Sequence, residues 1–148
     1  MSLPKTILVP TDFSEFADHA LDYAIMLAGK LGAQVHVVHA LTIPELGVPE
    51  LGVALSSTMM GAMVQRSQAA LDKLVADRPS ANFATMLRTG DPRSVILQTV
   101  EELGADLIVM GTHGRRGVIR ALLGSIAEAI VRTAPCPVLT VRGRDHQG

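Results

Sequence analysis

Between Gly111 and Ser125 the chain gathers the residue types that hold phosphate. Gly111, Gly114 and Gly124 recur there with Arg115, Arg116 and Arg120, and the segment Gly111 to Leu123 contains no acid. Glycine lets a backbone approach an anion closely, free N–H groups point at it, and a helix N-terminus adds a favourable dipole. The arginines carry the right sign for a polyphosphate. Such a set binds; breaking a bond asks for more. Phosphoryl transfer also needs a positioned nucleophile, a metal and stabilised transition-state charge. No Ser-His-Asp set, paired catalytic carboxylates or activated cysteine emerges from the spacings, so no catalytic residue is assigned. The histidines give no metal-binding interval either. His36 and His39 are three apart on a strand and face opposite sides, and each reads as a packed or hydrogen-bonded strand histidine. Gly-x-x-x-x-Gly-Lys-Ser/Thr is absent, and no Gly-x-Gly-x-x-Gly follows the first strand.

Positioning these residues requires a strand before the loop and a helix after it. Leu107 to Met110 is an unbroken apolar run, as in a strand buried on both faces of a parallel sheet. Ile126, Ala127, Ile130, Val131 and Ala134 recur at helical spacing after Gly124-Ser125, and Pro135 ends that helix. At the other end of the chain, Thr6 to Val9 reads as a strand, and Ser14 as the N-cap of a helix reaching about Leu31. Ala17, Ala20, Leu21, Ala24, Ala28 and Leu31 form its core face, and Gly32 stops it. Asp12 falls between that strand and helix. It serves either a local turn or a ligand at the sheet edge.

Gln34 to Ala40 is a second strand. Residues 41–55 read as an irregular loop, because Pro44-Glu45-Leu46-Gly47-Val48 is repeated at once as Pro49-Glu50-Leu51-Gly52-Val53. The repeat either packs on its own domain or forms a flap or partner contact. Helical periodicity resumes from Ser56 to Asp77, with Met59, Met60 and Met63 expected to fill core gaps. Asn82 to Arg88 suits a less buried, near-edge strand. Asp91 is placed to cap the next helix with Pro92 at its first position, burying Ile96, Thr99, Val100 and Leu103. Pro137 to Arg142 is a fifth strand, and 143–148 a frayed polar tail. Strand and helix alternate throughout, which calls for an α/β fold: a parallel sheet with helices on both faces.

Gly111-x-x-Gly114, nine residues, then Gly124-Ser125 resembles the nucleotide-binding signature of the universal stress protein family. Ala105-Asp106-Leu107-Ile108-Val109-Met110-Gly111-Thr112-His113-Gly114, Ala134-Pro135-Cys136-Pro137-Val138 and Pro10-Thr11-Asp12-Phe13-Ser14 resemble it too. The resemblance covers essentially all of 1–148, as a single domain. It implies a Rossmann-like, adenine nucleotide alpha hydrolase-like sheet of order 3-2-1-4-5, with a ligand crevice between the first and fourth strands. It implies ATP as the ligand, with Mg2+ or Mn2+ held by phosphates and water. Adenosine would lie against Pro10, Thr11, Asp12 and the backbone of Ala40. Ribose and phosphates would cross Met110, Gly111, His113 and Gly114. Phosphates would end on the amides and hydroxyl at Gly124, Ser125 and Ile126. His113 is either a phosphate donor or a solvated loop residue. The function implied is a nucleotide-binding stress-response or regulatory module with slow or no hydrolysis. A true ATPase is the second reading. A dimeric interaction module without nucleotide is the third, and the intact glycine signature argues against it. A homodimer through Val138, Leu139 and Val141 is expected, from the apolar edge strand and from the resemblance.

Composition narrows the remaining classes. With 148 residues there is enough chain for a sizeable core. No Trp, one Tyr and three Phe leave little to build a stacking platform for single-stranded nucleic acid, and a net charge of −1 supplies no field for nucleic acid or an anionic membrane. Nucleic-acid and membrane partners are therefore not expected. The lone Cys136 rules out an internal disulfide framework and fits a reducing compartment. Between Pro135 and Pro137 it reads as a packed, inert thiol. With no charged-then-apolar start, a cytoplasmic location is expected.

Overall fold

The computed structural model describes residues 2–43, 49–113 and 123–143. Strand and helix alternate as β1 (Thr6–Pro10), α1 (Glu15–Leu31), β2 (Gln34–Leu41), α2 (Pro49–Ala76), β3 (Phe83–Thr89), α3 (Pro92–Leu103), β4 (Leu107–Gly111), α4 (Ser125–Thr133) and β5 (Val138–Val141). All strand pairs are parallel and the order is β3-β2-β1-β4-β5. This is the Rossmann-like sheet that the motifs imply.

Alternation along β1 explains the two cores. Ile7, Leu8 and Val9 are each 0% exposed, so this strand is covered on both faces. Ile7 and Val9 join Val35, Val37, Leu107 and Val109 beneath α1 and α2, where Ala20, Leu21, Ala24, Leu71 and Leu74 pack on them. Leu8 joins Val38, Ile108 and Met110 beneath α3 and α4, with Val95, Ile96, Val100, Ala127 and Ile130. Each large side chain fully buried in this way stabilises the fold by about 1.5–3 kcal/mol.

Local signals set the helix ends. Ser14 Oγ accepts from the Ala17 N–H at 3.2 Å, and Gly32 closes α1 at φ 70°. Asp91 Oδ2 accepts from the Ser94 N–H at 3.3 Å, with Pro92 at the first helical position. At the other end of the sheet, both Asp106 carboxylate oxygens accept from Lys5 N–H, and Oδ1 also accepts from Thr6 N–H. That clamp ties the start of β1 to the start of β4.

Several expectations need correction. Helix α2 begins at Pro49, so the second pentapeptide of the repeat, 49–53, has helical backbone and 41–55 is not one irregular loop. Proline at a helix start lacks only an N–H that would have no intrahelical partner, and one interior glycine costs about 1 kcal/mol against alanine. The first pentapeptide, 44–48, lies outside the described residues, and Leu41 belongs to β2. Among the described side chains of α2, Leu71 and Leu74 join the core, and Ser67 is also buried. Met60 and Met63 are half-buried and Met59 is exposed. Val131 points away from the sheet at 47% exposure, because a helix over an edge strand has less to cover. Val95, absent from the expected stripe of α3, is buried there, while Leu103 is half-buried.

Candidate functional site

The strand order places the C-terminal ends of β1 and β4 side by side. The chain leaves β1 toward one neighbour and β4 toward the other, which opens a crevice where ligands bind in such sheets. A cavity of about 300 Å³ lies there. Its lining includes Pro10 at the end of β1, Thr11 and Asp12 after it, Ala40 on β2, Met110, Gly111 and His113 at the end of β4, and Gly124, Ser125 and Ile126 at the start of α4. The sequence-selected residues thus converge on one cavity, except Gly114, which lies outside the described residues. So do Arg115, Arg116, Arg120 and His146.

After β1 the backbone makes a tight turn held by hydrogen bonds from the Thr11, Phe13 and Ser14 N–H groups. Thr11 N–H donates to the Val38 carbonyl at 2.9 Å. Thr11 Oγ1 accepts from Phe13 N–H at 3.0 Å, and Asp12 Oδ1 accepts from Ser14 N–H at 2.9 Å. Phe13 sits at φ 64°, the positive-φ non-glycine residue among those described. Asp12 therefore has both the turn role and a place at the cavity.

At the end of β4, Gly111 lies directly against α1. A Cβ at Gly111 would stand 3.0 Å from Phe16 C, Cβ and O. This glycine has a packing reason of its own, which the motif spacing does not reveal. Buried Thr112 then ties three elements together. Its N–H donates to the Val141 carbonyl at 3.2 Å, and its carbonyl accepts from Gly124 N–H at 2.7 Å. Its Oγ1 stands 3.0 Å from His113 Nδ1. The His113 ring leans on Phe16, with centroids 5.5 Å apart, and its Nε2 is buried without a hydrogen-bond partner among the described residues.

Helix α4 opens on the cavity without a side-chain cap. The Gly124 N–H is engaged by Thr112, so among the described residues of α4 the donors left for an anion are the first-turn amides from Ser125 onward and the Ser125 hydroxyl. Gly124 adopts φ −60°, ψ 158°, which any residue can adopt, so backbone strain does not demand glycine here. The rest of the cavity wall carried no site assignment from sequence: Val38 and His39 on β2, Ala17 on α1, Pro92 and Ile96 on α3, Ala127 on α4, and Thr112. Apart from Thr112 these residues carry no ligand motif, and only the sheet order brings them together. Thr112 is the one the signature could have indicated, lying between Gly111 and His113.

Elsewhere, Cys136 is half-buried, and burial followed by the Asp106 charge pushes its thiol up, as suits an unreactive side chain. Among the described residues there is no group of three His, Cys, Asp or Glu suited to a metal, and no helix long and apolar enough to cross a membrane.

Comparison with known proteins agrees with this architecture. The model of the universal stress protein family matches residues 4–142. A universal stress protein of Methanocaldococcus jannaschii is 35% identical over 145 residues, covering 95% of this chain and 84% of that protein. The solved UspA of Lactobacillus plantarum is similar with a TM-score of 0.82 and 26% identity, covering 96% of this chain and 100% of that one. A family member from Arabidopsis thaliana, solved with AMP bound, shares the fold at a TM-score of 0.67 and 19% identity, covering 96% and 94% of the two chains.

Proposed function

The chain belongs to the universal stress protein family, and on that premise we propose that it is a stress-response or regulatory module that binds ATP in the crevice between β1 and β4. The observation that carries the reading is the cavity itself, where the uncapped start of α4 faces the turn holding Asp12. One end offers amides and a hydroxyl for phosphate. The other offers a carboxylate and backbone groups for a nucleoside. The AMP held by the Arabidopsis thaliana relative supports an adenine nucleotide as the ligand class.

In this reading adenosine lies against Pro10, Thr11, Asp12 and Ala40. Ribose and phosphates cross Met110, Gly111, His113 and Gly114, and the phosphates end at Ser125, Ile126 and the space beside Gly124. The Nε2 of His113, buried and without a partner among the described residues, favours a donor role toward phosphate over a solvated one. Mg2+ or Mn2+ arrives with the nucleotide, held by phosphate oxygens and water. Hydrolysis is slow or absent. Asp12 is the carboxylate among the lining residues, and it is fixed by Ser14 N–H at the end assigned to adenosine. The functional unit is a homodimer paired through Val138, Leu139 and Val141 on edge strand β5.

Mass spectrometry of nucleotide released from the purified protein, followed by calorimetric titration with Mg-ATP, tests the reading. Saturable binding of one adenine nucleotide per chain is the expected result. Protein that carries none and ignores ATP, ADP and AMP would overturn it.

A further inference from the structure

His39 lines the cavity, yet no motif contains it. Its Nδ1 lies 2.8 Å from the Thr11 carbonyl oxygen. A carbonyl only accepts, so Nδ1 carries the proton and the imidazole donates. The same ring packs on Phe13, with centroids 4.4 Å apart and planes tilted by 41°. Phe13 holds φ 64°, a conformation that bulky residues rarely adopt. It lies between Asp12 and the helix cap Ser14, whose N–H holds the Asp12 carboxylate. One side chain on β2 therefore grips the turn after β1 at both its carbonyl and its strained residue. Strain of this kind persists only where surrounding contacts over-determine it.

We propose that His39 is a positioning residue for the nucleoside end of the site: its imidazole, in the Nδ1-protonated tautomer, holds the Thr11–Phe13 turn so that Asp12 stays aimed at the cavity. The inference rests on the nucleotide reading for its ligand but makes a separate structural claim. It assigns His39 no contact with phosphate. Loss of the imidazole releases Phe13 from positive φ and lets Asp12 swing away. The α4 end of the cavity, built from Thr112 and Gly124, is untouched.

The test uses the full chain and the variants His39→Leu and His39→Asn, with His36→Gln on the opposite side of β2 as control. Nitrogen-15 spectra of the imidazoles read the tautomer directly, and amide shifts of Thr11 to Ser14 read the turn. Calorimetry with Mg-ATP and with inorganic tripolyphosphate separates the two ends of the site. His39 should show a protonated Nδ1. His39→Leu should shift the Thr11 to Ser14 amides and weaken ATP about tenfold, the value of one hydrogen bond, with tripolyphosphate unchanged. Asparagine, whose amide reproduces an Nδ1 donor, should restore most of the loss, and the control should bind as wild type does. A bare Nδ1, undisturbed turn amides in His39→Leu, or equal losses for ATP and tripolyphosphate would overturn the assignment. If His39→Leu does not fold, the tautomer and the asparagine variant decide. A wild-type chain that ignores ATP sinks the nucleotide reading, while tautomer and amide shifts still judge the grip of His39 on the turn.

Discussion

Gly111 and Phe16 meet so closely that β4 and α1 leave no room for a side chain between them: a Cβ on Gly111 would stand 3.0 Å from Phe16 C, Cβ and O. Backbone cannot yield as a flexible side-chain tip can. Gly111→Ala should therefore destabilise the protein by about 1–3 kcal/mol, read as a lower urea midpoint at constant slope. The loss should appear without any ligand. A variant as stable as wild type would mean that the glycine is needed only for ligand approach.

Gly124 presents the opposite case. Its φ and ψ suit any residue, and it caps α4 without a side-chain bond. Threonine caps helices about as well as glycine, so Gly124→Thr should leave the urea midpoint nearly unchanged. Its branched side chain should nevertheless fill the cavity beside the α4 amides and abolish Mg-ATP binding in calorimetry. Retained affinity would move the phosphates elsewhere.

Thr112→Val removes the hydroxyl that stands 3.0 Å from His113 Nδ1 and keeps the backbone bonds to Val141 and Gly124. A freed imidazole should aim its Nε2 poorly. We expect a stability loss of about 1 kcal/mol and roughly fivefold weaker Mg-ATP binding, with Thr112→Ser close to wild type. Identical affinities in both variants would detach His113 from the phosphate.

Asp106 gives a pH signature. The hydrogen bond from Thr6 N–H holds its carboxyl below the ordinary value of 3.8 against the opposing effect of burial, with lesser help from Lys5 N–H. A depressed folded-state value means that the ionised clamp stabilises the fold above pH 3.8, and that this stability fades as pH falls through the lower folded value. Asp106→Asn should cost about 1 kcal/mol near neutrality, modest because the site is close to solvent. The gap between variant and wild type in urea unfolding should close below pH 3.8. A gap that persists there would trace the loss to geometry rather than charge.

Periodicity and end signals made most of the fold legible. Ser14, Gly32, Asp91 and Pro92 act on their immediate neighbours, so their roles need no knowledge of distant chain. Residues 49–55 misled for the same reason in reverse. Proline and glycine argue locally against helix, yet Pro49 sits where a missing N–H costs nothing. Val131 matched a helical stripe and still points outward, because the stripe records apolar spacing and not what stands opposite.

The sequence by itself determined the alternating architecture, the glycine signature around Gly111 and Gly124, and the family, since each depends on residue types at short spacing. Tertiary structure decided what those residues touch. It set Gly111 against Phe16, engaged the Gly124 N–H with Thr112, and brought His39 of β2 to the carbonyl of Thr11. Those partners lie on different elements. They meet because parallel pairing aligns β1 with β2 and β4, placing the strand ends at one edge, a juxtaposition that local spacing cannot encode.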